Sequence, residues 1–238
     1  MKTIAIIQHL ANDGPAYLGT WLQAQGLPFT VYKMFDGVTL PERASEHAGW
    51  CVLGGALSAN DPLPYFDDLL ARIREAVALD IPVIGHCLGG QLMARALGGT
   101  VQASRHVEIG WSDLEVIHAD GAKWFGAEAR VGARLPLFQW HGESFSIPTS
   151  AQWLVRGPHC AHQAFSVGSK HLAMQFHCEV DEPKVRRWLT MGAAEISGSH
   201  SPGVQQATQL LPTLSENVAR SQAIASCIYA RWARGLLP

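Results

Sequence analysis

Apolar positions fall into an alternating rhythm along the first part of the chain. Thr3–His9 is a mainly apolar run that stops at the turn cluster Asn12-Asp13-Gly14-Pro15. Leu18, Trp21 and Leu22 then recur at i, i+3 and i+4, and Gly26 supplies a stop, which predicts a helix. Phe29–Tyr32 and Trp50–Leu53 are short β-branched and aromatic runs, the second ending in Gly54-Gly55. Phe66, Leu69, Leu70, Ile73 and Val77 form a helical stripe. Pro82–Gly85 then reads as a strand that turns into a helix around Gln91–Leu97, closed by Gly98-Gly99. Strand and helix in alternation predict a parallel sheet covered on both faces.

The second half is richer in strands. Asp113–Ile117, Leu137–His141, Trp153–Val155, Ala164–Val167 and Leu172–Phe176 have strand character, and helices return over Glu182–Glu195 and Glu216–Trp232. Thr213 and Glu216 have the spacing of a capping box ahead of the last helix. Residues 196–212 read as a loop or flexible crossover. No internal repeat is visible, and 1–238 reads as one domain of α/β class.

Composition narrows the functions open to such a fold. The 238 residues carry 18 Lys plus Arg and 20 Asp plus Glu, a formal net charge of −2. That balance argues against nucleic-acid or acidic-membrane binding by bulk charge. Hydrophobic content of 47% and charged content of 16% describe a folded chain. The uncharged runs Ile81–Ala94 and Ile196–Ser215 are too short or too polar to span a membrane, and the apolar stretch at the start is too short for a signal peptide. Five cysteines without regular spacing suggest reduced thiols and a cytoplasmic protein.

The stretch Pro82-Val83-Ile84-Gly85-His86-Cys87-Leu88-Gly89-Gly90-Gln91 carries the most chemistry. A strand feeds a sharp turn with Cys87 at its apex, and a helix follows, which is the logic of a nucleophile elbow. The positive end of a helix favours a thiolate placed there. The Leu88 N–H would face a developing oxyanion. A lone cysteine reads as readily as a buried structural residue. Here the order strand, Gly-x-Cys-x-Gly and helix favours the nucleophile. His177 and Glu179 lie two residues apart at the end of another strand, on one side of an extended chain, so the carboxylate can orient the imidazole. Gly54-Gly55 ends a further strand and leaves backbone N–H groups free to complete an oxyanion hole.

With these segments in order, the chain resembles the class I (triad-type) glutamine amidotransferases, of the stand-alone kind similar to the glutaminase domain of GMP synthase. The matching stretches are Gly54-Gly55, Gly85–Gln91, Glu108-Ile109-Gly110-Trp111, Gln139–Glu143, Gln163-Ala164-Phe165 and Gln175–Glu179, spread over residues 1–185. The resemblance implies an open, mostly parallel, flavodoxin-like sheet flanked by helices. It implies Cys87 as nucleophile, His177 as base and Glu179 as its orienter. Gly55 and Leu88 would form the oxyanion hole, and Gly54, Gln91, Gly110 and Trp111 would bind the rest of glutamine. No metal and no organic cofactor is expected. The stretch after residue 185 is too short for an ATP-dependent synthetase, so such a partner would act in trans. A γ-glutamyl peptidase would use the same triad with an amine as leaving group, and a non-catalytic regulatory module is the third reading.

Two positions depart from the family pattern. His86 stands where an aliphatic residue is usual, and reads as a satisfied core histidine pointing away from Cys87. Cys178 replaces the usual Pro between His177 and Glu179, so the placement of His177 is less pre-set and a thiol open to oxidation is expected beside the site. His159, Cys160 and His162 cluster in sequence but lack a zinc-binding spacing. Trp111 and Trp140 are the tryptophans expected nearest the pocket.

Overall fold

The structure, a computed structural model, describes residues 2–236. Strand β1 (Ile4–Gln8), helix α1 (Tyr17–Ala24), β2 (Phe29–Lys33), β3 (Gly49–Val52), α2 (Phe66–Ala78), β4 (Val83–His86) and α3 (Leu88–Ala96) alternate as the apolar runs predict. They are followed by β5 (Val101–Val116), α4 (Gly121–Phe125), β6 (Arg134–Phe145), β7 (Gln152–Arg156), β8 (Ala164–Val167) and β9 (His171–Met174). The last elements are α5 (Glu182–Met191), α6 (Ala193–Gly198), β10 (Gly203–Val204), α7 (Ala207–Leu210) and α8 (Leu214–Ala233).

One ten-stranded sheet organises these elements, in the order β10-β5-β7-β8-β9-β4-β3-β1-β2, with β6 pairing on β5. Neighbours from β2 through β9 run parallel, and β9, β8, β7, β5 and β6 continue antiparallel. The parallel strands are buried on both faces because successive side chains point to opposite sides. Ile4, Ile6, Cys51 and Ile84 meet Leu18 and Leu22 of α1 and Ile228, Tyr229 and Trp232 of α8. Ala5, Ile7, Trp50 and Val52 meet Phe66, Leu69 and Ile73 of α2 and Leu92 and Met93 of α3. A third cluster joins Ile109 and Phe138 to Val185 and Leu189 of α5, Ile196 of α6 and Val218 of α8.

Several elements differ from the sequence expectation. Strands β5 and β6 are much longer than Asp113–Ile117 and Leu137–His141. They pair from Val101–Phe145 to Glu115–Arg134, and β5 is exposed along much of its first half. In that half the ladder to β6 holds Val101–Ala103 and resumes at Glu108 after a bulge, and no apolar alternation marks it. Residues 196–212 are also structured: Gly203 and Val204 pair with Glu108 and Ile109, and α7 follows. The helix expected over Glu182–Glu195 breaks at Gly192, which lies against the Trp140 indole. Thr213 precedes α8 without capping it, because the turn Leu211–Thr213 already takes the Leu214 N–H; the Thr213 hydroxyl accepts from Asn217 Nδ2 at 3.0 Å instead. Among the described residues no helix is long and apolar enough to cross a membrane.

Trp232 is fully buried against the main sheet. Trp232→Ala is expected to cost about 3–5 kcal/mol in urea unfolding, the range for emptying a large core site. A loss under about 1 kcal/mol would mean that α8 is not part of the cooperative core.

Candidate active site

The turn between β4 and α3 places Cys87 in a conformation rare for a side-chain-bearing residue, φ 47° and ψ −108°. Its N–H donates to the Met174 carbonyl at 2.8 Å, which fixes the turn to β9. The elbow requires glycine at 89, where a Cβ would collide with the Val52 carbonyl of the neighbouring strand. The Cys87 sulfur lies 3.7 Å from the Trp140 carbonyl and receives Gln175 Nε2–H at 3.6 Å. Cys87 and His177 line one cavity of about 250 Å³ with Gly55, Trp140, Trp188 and Glu195.

His177 is held on both sides of its ring. Its backbone N–H donates to the Phe138 carbonyl at 2.8 Å, an isolated bridge to β6. Nδ1 donates to Glu179 Oε1 at 2.7 Å, which leaves Nε2 free for the thiol. Trp188 meets the imidazole edge-on with ring centres 4.8 Å apart. Behind Glu179 lies a second layer of charge. Lys184 Nζ donates to Glu179 Oε1 at 3.3 Å and to the Gly14 carbonyl at 3.0 Å, and pairs with Asp13 at 2.5 Å. The ammonium also sits 4.8 Å from the centre of the Trp188 ring. His86 Nδ1 stands 3.1 Å from Glu179 Oε2.

These contacts decide the charge states. Burial alone would raise the Glu179 carboxyl, but His177, Lys184 and His86 hold it well below the usual carboxylate range. Burial alone would lower His177, but Glu179 and the Cys87 thiolate outweigh it and raise the imidazole to about 10. Burial likewise disfavours the Lys184 ammonium, and Asp13 with Glu179 more than compensates, so its proton is held more tightly than usual.

The structure brings Cys87, His177 and Glu179 together, with Gly54 and Gly55 beside them. A Cβ at Gly54 would stand 2.8 Å from His177 Cε1 and 3.5 Å from Cys87 Cβ. Leu88 opens α3, so no earlier helical carbonyl takes its N–H. Gly110 and Trp111 are not brought to the cavity. Trp111 packs on Phe138 with ring centres 5.1 Å apart, and its N–H donates to Gln205 Oε1 at 2.7 Å. Gln91 is buried with its amide donating to the Glu143 carbonyl at 3.1 Å and to Gln175 Oε1 at 3.3 Å, so it braces the wall. Trp140 is on the cavity as expected.

His86 is a core histidine, but it reaches the Glu179 carboxylate from behind. Cys178 is fully buried among His86, Met174 and Tyr229. The expectation of an oxidisable thiol there is therefore corrected: solvent does not reach the sulfur, and burial first, then Glu179, raise the thiol well above its usual value. Sequence reasoning missed Asp13, Lys184, Trp188 and Glu195. The start of α5 carried a signal for two of them. Asp181 caps the Lys184 N–H at 2.8 Å with Pro183 in the first turn, which sets Lys184 and Trp188 one turn apart on one face. Asp13 had no local signal.

A cysteine on a strand–helix elbow, facing a His–Glu pair just beyond the end of the adjacent strand of a mixed sheet, defines the class of triad amidotransferases and related thiol hydrolases. The comparisons agree: the profile of the family described as Glutamine amidotransferase class-I matches residues 22–188, and the chain belongs to that family. A crystal structure of a glutamine amido transferase from Methylobacillus flagellatus is 40% identical, with a TM-score of 0.95 over 100% of this chain and 96% of that one. The glutamine amidotransferase-like protein YfeJ of Salmonella typhimurium is 29% identical over 75% of this chain and 76% of its own length. GMP synthase of Aeromonas salmonicida is 35% identical over 42% of this chain, a match that covers only 20% of that enzyme.

Two predictions follow from the buried charges. In Glu179→Gln the His177 imidazole is expected to titrate near or below its ordinary value, because burial is then opposed only by the thiolate; in the wild type it should stay protonated to about pH 10. Imidazole ¹⁵N shifts read this directly. Because the folded value lies above the unfolded one, the stability that the pair supplies is complete below the unfolded histidine value and is lost as pH rises through about 10. On the acid side it is lost as pH falls below the unfolded carboxylate range, since Glu179 is lowered. The urea-unfolding gap between wild type and Glu179→Gln should therefore narrow at both ends. Second, Lys184→Met is expected to cost about 3–5 kcal/mol by leaving the buried Asp13 without its cation, and Asp13→Asn in the same chain should recover part of it.

Proposed function

We propose that the protein hydrolyses the side-chain amide of glutamine through a γ-glutamyl thioester on Cys87. The observation that carries this reading is Cys87 on a strained elbow, sharing a cavity with an imidazole that Glu179 grips at 2.7 Å. The raised proton affinity of His177 supports an imidazolium at rest beside Cys87. The thiolate attacks the amide carbon, and the oxyanion is held by the N–H groups of Gly55 and Leu88. As the intermediate collapses, His177 Nε2 gives its proton to the leaving nitrogen, ammonia departs and the thioester remains. Neutral His177 then takes a proton from water, the hydroxide adds to the thioester, and collapse expels the Cys87 thiolate and glutamate. Glu179 stabilises the imidazolium in each half and keeps Nε2 pointed at the reacting atoms.

A separate synthetase is the proposed acceptor of the ammonia. GMP synthase carries such an activity in a chain of which this one spans about a fifth, so amination of a nucleotide is not transferred to this protein by the match. Cys87→Ser is expected to abolish glutamate and ammonia release, and acid quenching of the wild type should trap Cys87 carrying one γ-glutamyl group. A γ-glutamyl dipeptide run in parallel separates the two leaving groups: turnover of the dipeptide with none of glutamine would replace this reading with the peptidase. Gly54→Ala should fold normally yet lower kcat by about a hundredfold with a smaller change in KM, since its methyl displaces the His177 ring from the thiol.

A further inference from the structure

A second group of chemically competent side chains lies outside the catalytic cavity. Glu108 on β5, His141 on β6 and Cys160 on the loop after β7 place a carboxylate oxygen, an imidazole nitrogen and a sulfur within 4.8 Å of one another. All three are buried, at 0%, 6% and 5% exposure. The loop that carries Cys160 forms one wall of a cavity of about 390 Å³, with the β5 residues Gln102–Arg105 opposite. Here β5 bulges: Ala103 opposes Glu143 while Glu108 opposes His141, so extra residues of β5 arch away from β6.

The three groups have few other partners, and their ligand atoms converge on one point. His141 Nδ1 lies 3.1 Å from the Glu143 carbonyl, an acceptor only, so Nδ1 carries the proton. Nε2 then faces Glu108 Oε2 at 3.1 Å without a hydrogen bond in line. Glu108 has Gln163 Nε2 at 2.9 Å and the Ser112 hydroxyl at 3.3 Å as donors, and no Lys or Arg pairs with it among the ion pairs of the described residues. The Cys160 thiol has the Ser144 hydroxyl at 3.0 Å, the His162 carbonyl at 3.8 Å and the Ser104 side chain as its polar neighbours.

We propose that Glu108, His141 and Cys160 form a binding site for a zinc-class divalent cation. The donor set of one carboxylate, one imidazole and one thiolate suits Zn²⁺, and a carboxylate plus a thiolate neutralise it in the buried site. Tetrahedral Zn²⁺ with bonds of about 2.0–2.3 Å sets its ligand atoms about 3.4–3.6 Å apart, so the nitrogen–oxygen pair is already near its place. The His141 Nδ1–H to Glu143 carbonyl contact and the Gln163 amide on Glu108 are the outer bonds that aim ligands in such sites. The cavity beside Cys160 gives the ion an entrance, and leaves a fourth position for water or for His159, which lies on the same wall. Binding replaces the Cys160 S–H bond with S–Zn and releases that proton to solvent. The ion would tie β5, β6 and the β7–β8 loop together. Its place is structural, on the β5–β6 side of the sheet, and it rests on no step of the proposed reaction.

The test uses tag-free full-length protein carrying Cys87→Ser, so that the nucleophile cannot bind metal. Titration with Co²⁺ should reach one ion per chain and develop the near-ultraviolet charge-transfer absorption of a thiolate–cobalt bond, which Zn²⁺ then displaces. Adding Cys160→Ser should remove the absorption, and Cys227→Ser, at an exposed position, should leave it. A second readout needs no ligand substitution: Zn²⁺ but not Mg²⁺ should suppress alkylation of Cys160, mapped by mass, by about tenfold or more at saturation. Absence of the absorption, its persistence in Cys160→Ser, or unchanged alkylation of Cys160 would overturn the proposal.

Discussion

The Glu179 carboxylate is fully buried and ionised, and a buried charge is tolerated only when its surroundings supply counter-charge and hydrogen bonds. Three cations or potential cations converge on it: His177 from two residues before, Lys184 from α5, and His86 from the strand that carries the nucleophile. Each ties a different part of the fold to this one group. Lys184 extends the connection through Asp13 to the loop after β1. Removing Glu179 would take away the carboxylate that His177 and His86 share and would leave Lys184 with Asp13 alone. The geometry of the site and the stability of this end of the sheet therefore depend on the same carboxylate.

The network also places Trp188. Its ring lies under the Lys184 ammonium and edge-on to His177, so α5 contributes one wall of the catalytic cavity as a consequence of the charge it carries inward. Gly192 then ends α5 against Trp140, whose indole N–H donates to Glu195 Oε2 at 3.1 Å. The aromatic and acidic rim of the cavity thus joins Trp140 of β6 to Trp188 and Glu195 of the two helices that follow the triad. Charge, packing and access are set by the same short helix.

Much of the site was legible because its determinants are local. Gly-x-Cys-x-Gly between a strand and a helix specifies the elbow within a few residues, since only close backbone packing demands the glycines. His177 and Glu179 are two apart, close enough along the chain for the carboxylate to reach the imidazole, although they sit in the turn after β9 and not in a strand. The parallel half of the sheet was readable for a similar reason, as its strands are buried on both faces and stand out as continuous apolar runs. By contrast, the first half of β5 is half exposed and polar, and its pairing with β6 leaves no periodic trace. Gly110 and Trp111 were assigned to the pocket by resemblance, whereas Gln205 and Phe138 hold them elsewhere.

By itself the sequence determined the layered α/β class, the nucleophile turn and the His–Glu pair, because each follows from short-range spacing. Tertiary structure decided which buried charges meet. Lys184 reaches Asp13 across 171 positions, and Glu108, His141 and Cys160 come from two strands and a loop. Such contacts arise from register and packing, which place distant residues together only after the sheet has formed. No spacing along the chain encodes them, and an isolated Lys or Cys reads as a surface charge or a core thiol until its neighbours are known.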